Sequence, residues 1–334
     1  MIIQKNIDLL PYNTFKIKAK AKYFIKVNKI ADLKNLPDEP KLFLGEGANV
    51  LFIKDFEGLV IKNEIKGRKE IPGQARNDNF DSITIEVGSG ENWHELVIWS
   101  VKNGWSGIEN LALIPGTVGA APVQNISAYG QQISNVIVQV NTLDKSFSKN
   151  ECQFGYRESI FKKAKNLFIT SVVIKLSKNP KYNLDYHSRY ESLVVTPPYT
   201  PKKVAEAVVN LRKIKQPDWT KIGTAGSFFK NPVISKKKLQ EIQEKIPKIQ
   251  FYSAGQNLFK IPAGWLLDEL GWKSKKIGRV GTSARSALVI INLGGATGQE
   301  ILDFSQQMQA DIQKNYGLDL EPEVNIIGDG PQTT

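Results

Sequence analysis

Ser227 is the residue whose neighbours most clearly suggest proton chemistry. It follows Gly223 and Gly226 and precedes two phenylalanines in the segment GTAGSFFKNP, residues 223–232. A serine behind glycines is often a turn residue or a helix N-cap. Its hydroxyl can still relay a proton if a neighbouring group stabilises the transient anion. The residues alone leave both interpretations open.

Two carboxylates and an arginine are further candidates. Glu321 and Glu323 stand two positions apart in LEPEVNIIG, residues 320–328, so a strand there would place them on one face. They could act as general acid and base, or simply begin a strand with polar residues. Arg157 follows Gly155 in a turn, where an arginine is usually a surface charge but can also stabilise developing negative charge.

Scarce histidine and cysteine exclude several kinds of site. The 334 residues include two histidines, His94 and His187, and one cysteine, Cys152. We therefore expect no metal site of the His/Cys type and no Ser-His-Asp catalytic group. A single cysteine cannot form an internal disulfide, which fits a reducing compartment.

An uncharged stretch, residues 110–133, is broken by Gly116, Gly119, Gly130, Pro115 and Pro122. It is too interrupted for a helix and too long for an ordinary surface loop. Glycine permits positive φ and close backbone approach, so these glycines could turn peptide N–H groups towards an anionic ligand. The alternative is a buried, glycine-rich crossing of the core.

The sequence resembles the UDP-N-acetylenolpyruvoylglucosamine reductase family in three specific motifs, IPGTVGAAPVQN, GSFFKNP and LEPEV. Weaker matches, LGEGANVLF and GYRxSxF, extend the resemblance over about the whole chain. Ser127 replaces the glycine that is usual in the family's NIGAYG. Ser286 stands where some relatives carry a substrate-binding glutamine, so that contact is not transferred.

The resemblance implies an FAD-containing flavoprotein oxidoreductase. It would use NADPH to reduce UDP-N-acetylglucosamine enolpyruvate to UDP-N-acetylmuramate, in peptidoglycan synthesis and thus in cell-wall biogenesis, cell shape, the cell cycle and cell division. Ser227 would donate the proton, while Arg157 and a protonated Glu323 would face the substrate carboxylate.

Binding residues follow from the same resemblance. Those implied for FAD are Gly45, Gly47, Asn49, Pro115, Gly116, Thr117, Gly119, Ala120, Gln124, Asn125, Tyr129 and Gly130. Those implied for the UDP-sugar are Lys215, Asn231 and a loop tyrosine, Tyr190, with Tyr186 as the alternative.

The elements that position these residues alternate between strands and helices, which predicts an α/β (α+β) fold. Strands are predicted at 21–27, 58–63, 82–90, 135–144, 166–176, 285–292 and 320–328, and residues 41–52 are predicted to be two strands joined by a Gly turn. Helices are predicted at 29–36, 91–104, 200–217, 234–247, 261–274 and 298–317. The resemblance implies two FAD-binding domains, residues 1–64 with 320–334 and residues 65–214, and a substrate domain, residues 215–319. Residues 65–81 are polar and aperiodic, so we interpret them as a surface loop without function.

The net charge of +12 and a pI near 9.4 favour anionic ligands. Nucleic acid is one class and small polyanions such as dinucleotides are another, but no nucleic-acid-binding motif is present. We expect no nucleic-acid or membrane partner, a cytoplasmic location and a monomer. Two alternatives remain: a related flavoprotein with another substrate, and a basic nucleotide- or nucleic-acid-binding protein without catalysis.

Overall fold

The computed structural model describes residues 2–33, 36–72, 81–164, 166–180, 182, 184 and 195–328. Helices and sheets are mixed along the chain, so the predicted α/β fold class is confirmed. Tyr186 and Tyr190 lie outside the described residues.

The first sheet is built from four of the five N-terminal strands. The five are β1 Gln4–Asp8, β2 Lys20–Val27, β3 Lys41–Leu44, β4 Val50–Phe52 and β5 Phe56–Asn63. The sheet has the order β1-β2-β5-β3, in which β1 is antiparallel to β2 and the other pairs are parallel. The helix predicted at 29–36 is a single 3₁₀ turn, Ile30–Leu33. The strands β3 and β4 flank the loop 45–49.

The second sheet is antiparallel, with the order β11-β10-β12-β7-β6. Its strands are β6 Arg68–Glu70, β7 Ser82–Gly88, β10 Ile137–Thr142, β11 Ser146–Ser148 and β12 Ile169–Ser177. A hairpin, β8 Ser127–Ala128 and β9 Gln131–Gln132, lies between them in sequence. The accompanying helices are α1 Trp93–Lys102, α2 Ile160–Lys163 and α3 Pro201–Lys215.

The interpretation of 65–81 as a loop is wrong in part, because β6 pairs with the edge of β7. All three side chains of β6 are exposed, so the strand leaves no hydrophobic pattern in the sequence. Backbone hydrogen bonding to a sheet edge is enough to form it.

The C-terminal part contains two small antiparallel sheets, β13-β15-β14 and β16-β17-β18. The bounds are β13 Val233–Ser235, α4 Lys236–Lys245, β14 Tyr252–Gly255, β15 Leu258–Lys260, α5 Ala263–Glu269, β16 Lys276–Ile277, β17 Val280–Ser283, β18 Ser286–Asn292, α6 Gly298–Tyr316 and β19 Asn325–Ile327. The last strand, β19, belongs to neither of these sheets and pairs in parallel with β4 of the N-terminal part. This return brings residues 321–327 beside the loop 45–49.

The strand predicted at 320–328 is therefore too long at its N-terminal end. Glu321 and Glu323 precede β19 and do not share one face of it. Glu321 contacts Lys230, whereas Glu323 contacts Arg157. A local pairing of Phe229 with Pro322 and a hydrogen bond from Lys230 N to Glu321 O replace the regular strand here.

Helix ends follow the capping signals in the sequence. The Thr200 hydroxyl accepts a hydrogen bond from Lys203 N at the start of α3, with Pro201 at the first position. Thr297 and Glu300 form a capping box on α6, and Gly317 ends that helix at φ +58°.

Three clusters of buried side chains form the core. The largest takes residues from the first sheet and from the C-terminal part, for example Phe24, Phe228 and Phe304. A second lies between the antiparallel sheet and helices α1 and α3. The third includes Ile61 of β5 and Phe168.

The domain boundaries given above stay a prediction. Among the described residues, no helix is long and apolar enough to cross a membrane.

Candidate active site

Ser227, Arg157 and Glu323 line one cavity, although they come from three distant parts of the chain. Ser127 and Arg212 also line it. The structure thus brings together the three residues predicted to be catalytic. A hydroxyl, a guanidinium and a carboxylate around one space can donate a proton and hold an anion.

Arg157 and Glu323 form an ion pair in this cavity. Arg157 Nε lies 2.8 Å from Glu323 Oε1, and the two side chains are 18% and 11% exposed. The N–H of Nε does not point along this line, so the contact lacks hydrogen-bond geometry. The two side chains therefore face each other on the cavity wall at contact distance.

The hairpin β8–β9 fixes the other end of the Arg157 side chain. Nη1 donates to the Ser127 hydroxyl, and Nη2 donates to the Ser127 carbonyl at 3.3 Å. Arg157 itself has φ +56°, a conformation that costs a residue with a side chain about 1–3 kcal/mol. The serine that replaces the family's usual glycine therefore contacts a predicted catalytic residue directly.

Ser227 is held by its backbone. It forms an isolated bridge with Val289 of β18, and Phe228 N donates to Leu288 O at 2.9 Å. Gly226, at φ +75°, makes the turn immediately before it and also lines the cavity. This turn sets the serine on the cavity wall while the following phenylalanines enter the core.

A second cavity adjoins the first and is lined by the loop 43–50 and by parts of 114–126. The two cavities share Ala48, Asn49, Ile114, Pro115, Gln124 and Ile126. Of the residues predicted to bind FAD, this second cavity is lined by Gly45, Gly47, Asn49, Pro115, Gly116, Thr117, Ala120 and Gln124. A Cβ at Gly116 would meet nothing within 4 Å, so its surface is open to a ligand.

The expectation that glycine N–H groups point at a ligand is wrong for Gly116 and Gly119. Gly116 N donates to Glu46 Oε2 at 2.9 Å, and Gly119 N donates to Ser89 O at 2.8 Å. Gly119 is instead a packing residue, because a Cβ there would lie 2.6 Å from Ser89 Cβ. The cavity offers its shape and its side chains rather than these two N–H groups.

Asn49 joins the two cavities. Its Nδ2 donates to Gln124 Oε1 at 2.6 Å and to Glu323 O at 3.1 Å. Its carbonyl accepts from Asn325 N at 3.1 Å. One side chain predicted to bind FAD therefore also positions the backbone of a predicted catalytic residue.

Four predicted FAD residues lie away from the lining of the second cavity. Besides Gly119, Asn125 is 2% exposed and donates from Nδ2 to Gly155 O at 3.0 Å, which ties it to the turn carrying Arg157. Tyr129 and Gly130 form the turn between β8 and β9 at φ +49° and +77°. Their observed contribution is to the hairpin that holds Arg157.

Two of the residues predicted to bind the UDP-sugar, Lys215 and Asn231, line neither cavity. Lys215 ends α3, and its Nζ lies 5.9 Å from the centre of the Tyr129 ring. Asn231 Oδ1 accepts from Ala263 N at 2.9 Å, at the start of α5. Tyr190 is outside the described residues.

Comparison with known proteins bears on both cavities. Residues 216–327 match the family model "UDP-N-acetylenolpyruvoylglucosamine reductase, C-terminal domain", and residues 25–146 match "FAD binding domain". UDP-N-acetylenolpyruvoylglucosamine reductase of Flavobacterium johnsoniae is 42% identical, covering 98% of this chain and 100% of that protein. The chain belongs to the UDP-N-acetylenolpyruvoylglucosamine reductase family.

Further relatives of the same name agree with this membership. The one from Amoebophilus asiaticus is 41% identical, covering 98% of this chain and 100% of that protein. The crystal structure of the reductase from Thermus caldophilus aligns with a TM-score of 0.68 at 22% identity, over 97% of this chain and 99% of that one. This last likeness supports the fold. As a reductase-family chain with an FAD-binding domain, the protein is a flavin-dependent oxidoreductase.

Arg212 is a cavity residue that the sequence interpretation missed. It lies on α3, four positions after the buried Val208, and its Nε donates to Leu113 O at 3.2 Å. Burial lowers the pKa of its guanidinium, while interaction with Tyr129 opposes that shift. The signal was the helical period itself, because position 212 continues the stripe of Val204 and Val208.

Glu46 was also missed as a site residue. Its carboxylate accepts from Gly116 N and from Asn92 Nδ2, the latter at 2.6 Å. It thereby connects the loop 45–49 to the stretch around Gly116. A carboxylate between two glycines, directly after a strand, was the available signal.

Among the described residues, no cluster of His, Cys, Asp and Glu side chains is suited to a metal ion.

Proposed function

We propose that this chain catalyses the NADPH-dependent, FAD-mediated reduction of UDP-N-acetylglucosamine enolpyruvate to UDP-N-acetylmuramate, in peptidoglycan precursor synthesis. One observation carries the proposal: the cavity with Ser227, Arg157 and Glu323 adjoins the cavity lined by predicted FAD residues. Hydride transfer requires this arrangement, because the reacting carbon has to lie against the cofactor.

The second cavity is the candidate site for FAD, because predicted FAD residues line it. A Cβ on Gly116 would meet no atom within 4 Å, and Asn49, Thr117 and Gln124 contribute polar atoms to the cavity lining. Bound FAD would supply the hydride, which it would receive from NADPH, to the enol ether carbon distal to the substrate carboxylate.

Arg157 and Glu323 would stabilise the charge that builds on the substrate carboxylate as hydride arrives. The guanidinium is fixed between Ser127 and Glu323, so little reorganisation is needed during the reaction. A substrate carboxylate at Arg157 would share that cation with Glu323. In the protonated state that the family resemblance implies, Glu323 would donate a hydrogen bond to that carboxylate.

Ser227 would donate a proton to the carbon next to the substrate carboxylate, completing the addition of hydride and proton across the double bond. Its place on the wall of the same cavity as Arg157 supports this role. Lys215, Asn231 and Tyr190 stay predictions for UDP-sugar binding. The cytoplasmic location, the monomeric state and the absence of a nucleic-acid partner likewise stay predictions from the sequence.

The proposal is tested by Ser227→Ala, with the two half-reactions followed separately by stopped-flow absorbance of the flavin. NADPH should reduce the flavin at close to the wild-type rate, because no substrate proton takes part. Reoxidation by the enolpyruvyl substrate should slow by about 10²–10⁴-fold, the usual effect of a positioned general acid. The control is Ser253→Ala, an exposed serine on β14 that lines neither cavity.

Two results would reject parts of the proposal. A purified protein with no flavin spectrum that cannot be reconstituted with FAD would reject flavin chemistry altogether. Equal slowing of both half-reactions in Ser227→Ala would mean that Ser227 shapes the flavin site and is not the proton donor.

A further inference from the structure

Lys230 lies three residues after Ser227, and its charged end is enclosed by two carboxylates. Its Nζ is 2.9 Å from Glu158 Oε1 and 2.5 Å from Glu321 Oε1. The Lys230 side chain is 8% exposed, whereas those of Glu158 and Glu321 are 36% and 68% exposed. A buried ammonium thus holds two partners that reach it from the surface.

Each partner of Lys230 is a near neighbour in sequence of a residue from the candidate active site. Glu158 directly follows Arg157, and Glu321 stands two residues before Glu323. Lys230 therefore joins the three segments that supply the hydroxyl, the guanidinium and the carboxylate of the first cavity.

Backbone contacts fix only two of these three segments to each other. Lys230 N donates to Glu321 O at 2.8 Å, and Glu323 N donates to Phe228 O at 2.8 Å. Ser227 and Glu323 are thus on segments already hydrogen-bonded side by side. The turn 155–158 reaches segment 227–231 through side chains, by the Lys230–Glu158 ion pair and by Asn231 N donating to Tyr156 Oη at 3.3 Å.

We propose that Lys230 is a positioning residue that sets the Arg157 turn against Ser227 and Glu323. Arg157 needs such support, because its backbone has positive φ and its guanidinium must meet Glu323 and the substrate at once. Without Lys230, the turn would keep the contact with Ser127 but lose its charged link to the segment that carries Ser227.

Electrostatics support this arrangement. Burial alone would lower the pKa of the Lys230 ammonium, but hydrogen bonds with Glu321 and Glu158 outweigh it and raise the pKa. Burial opposes ionisation of Glu158 as well, yet the hydrogen bond from Lys230 and the charge of Lys162 lower its pKa. Both shifts keep the link charged at neutral pH.

A stabilising role alone is the competing explanation, and physical expectation disfavours it. Desolvating an ammonium offsets much of what its ion pairs contribute, and removing one partner is costly chiefly when the other charge stays buried. Glu158 and Glu321 are exposed enough to be hydrated once Lys230 is gone. Lys230→Met should therefore fold.

The test uses the full-length flavoprotein and rests on the proposed reduction for its kinetic arm. In Lys230→Met, flavin content and the rate of flavin reduction by NADPH should match wild type. Reoxidation by the enolpyruvyl substrate should slow by about 10²-fold, the order expected when a reacting group is displaced by about 1 Å. Lys230→Arg, which keeps the charge, should recover most of the rate. The matched control is Lys22→Met, which removes the surface pair with Glu39 and lines neither cavity.

A second variant and a substrate-independent readout complete the design. Glu321→Gln changes only the more exposed partner, so it should fold even if Lys230→Met does not, and it should slow reoxidation less. A crystal structure of Lys230→Met, or of Glu321→Gln if Lys230→Met does not fold, should show Arg157 moved from its place beside Glu323.

The outcomes separate this inference from the proposed function. Unchanged reoxidation in Lys230→Met, or an unmoved Arg157 in the crystal, would overturn the positioning role. So would equal slowing of both half-reactions, which indicates general loss of structure. A wild-type flavoprotein that does not reduce the enolpyruvyl substrate would reject the proposed function, and the crystallographic arm would still decide the role of Lys230.

Discussion

The two sides of the cleft are built in different ways. On the cofactor side, shape is set by glycines packed closely against their neighbours: a Cβ on Gly47 would lie 2.0 Å from Tyr12 O, and one on Gly45 would lie 2.7 Å from Thr117 Oγ1. On the reacting side, Arg157 is held by Glu323 and Ser127 through charged and polar side chains. Substitutions on the cofactor side should therefore change flavin occupancy, whereas substitutions on the reacting side should change the rate of flavin reoxidation.

After Ser227→Ala, Arg157→Gln should give the largest effect on the reacting side. Loss of the fixed cation should slow reoxidation of reduced flavin by about 10²–10³-fold, the range found when a single transition-state donor is removed. Flavin content should stay at the wild-type level. Stopped-flow absorbance and a flavin spectrum measure the two quantities. Arg279→Gln, which removes an exposed pair with Glu300, is the control. Flavin loss from a folded Arg157→Gln protein would break the division between the two sides.

Ala120→Trp tests the cofactor side, where flavin affinity should change. Ala120 is exposed and lines the second cavity, so a larger side chain fills the cavity without entering the core. Flavin affinity should fall by more than about tenfold, or about 1.4 kcal/mol, with the melting temperature of the apoprotein unchanged. Val138→Trp places the same side chain at an exposed position on β10 and should bind flavin normally. Full flavin occupancy in Ala120→Trp would mean that FAD binds elsewhere.

Ser127→Gly restores the residue usual in the family and tests how much the Ser127 hydroxyl helps to hold Arg157. It removes the hydroxyl that accepts from Arg157 Nη1 but keeps the carbonyl that accepts from Nη2. A hydrogen bond to a charged group contributes about 1.5 kcal/mol, so reoxidation should slow about tenfold. Ser127→Ala separates loss of the hydroxyl from added backbone freedom. An unchanged rate in both variants would show that the hydroxyl does not help to hold Arg157.

Deleting residues 73–80 should have the smallest effect. Their sequence is polar and aperiodic, and β6 and Ile71, whose N–H donates to Thr84 O, are left in place. Closing the deletion with a short Gly/Ser linker should leave flavin content and turnover close to wild type. A longer deletion of 65–81 removes β6 from the sheet and should lower the melting temperature. Loss of activity in the short deletion alone would assign 73–80 a function.

The sequence predicted what local pattern and motif determine. The strands β2, β5 and β12 and the meeting of Ser227 with Arg157 and Glu323 follow from spacing or from the family motifs. The directions of the Gly116 and Gly119 N–H groups did not follow, because their acceptors, Glu46 and Ser89, are distant in sequence. The edge strand β6 carries no buried side chain, so it leaves no periodic signal.

Arg212 shows a different limit of prediction from sequence. An arginine on an amphipathic helix is assigned to solvent by default, since a long charged side chain is rarely buried without partners. Its partners here, the Leu113 carbonyl and Tyr129, are provided by a loop and a hairpin that only the fold brings close. Tertiary contacts therefore determine whether Arg212 faces solvent or the cavity, which the local sequence pattern leaves open.

The pairing of β19 with β4 has a consequence for synthesis of the chain. Asn325 completes the wall of the second cavity and hydrogen-bonds Asn49, a residue 276 positions earlier. A ribosome makes the loop 45–49 long before it makes Glu323 and Asn325, and contacts this remote form late in folding. A nascent chain arrested before residue 323 should therefore retain flavin poorly, which fluorescence of stalled ribosome complexes can measure. Cofactor loading would then wait until residues 323–325 have been made, so the cell would commit FAD only to chains that carry this part of the site.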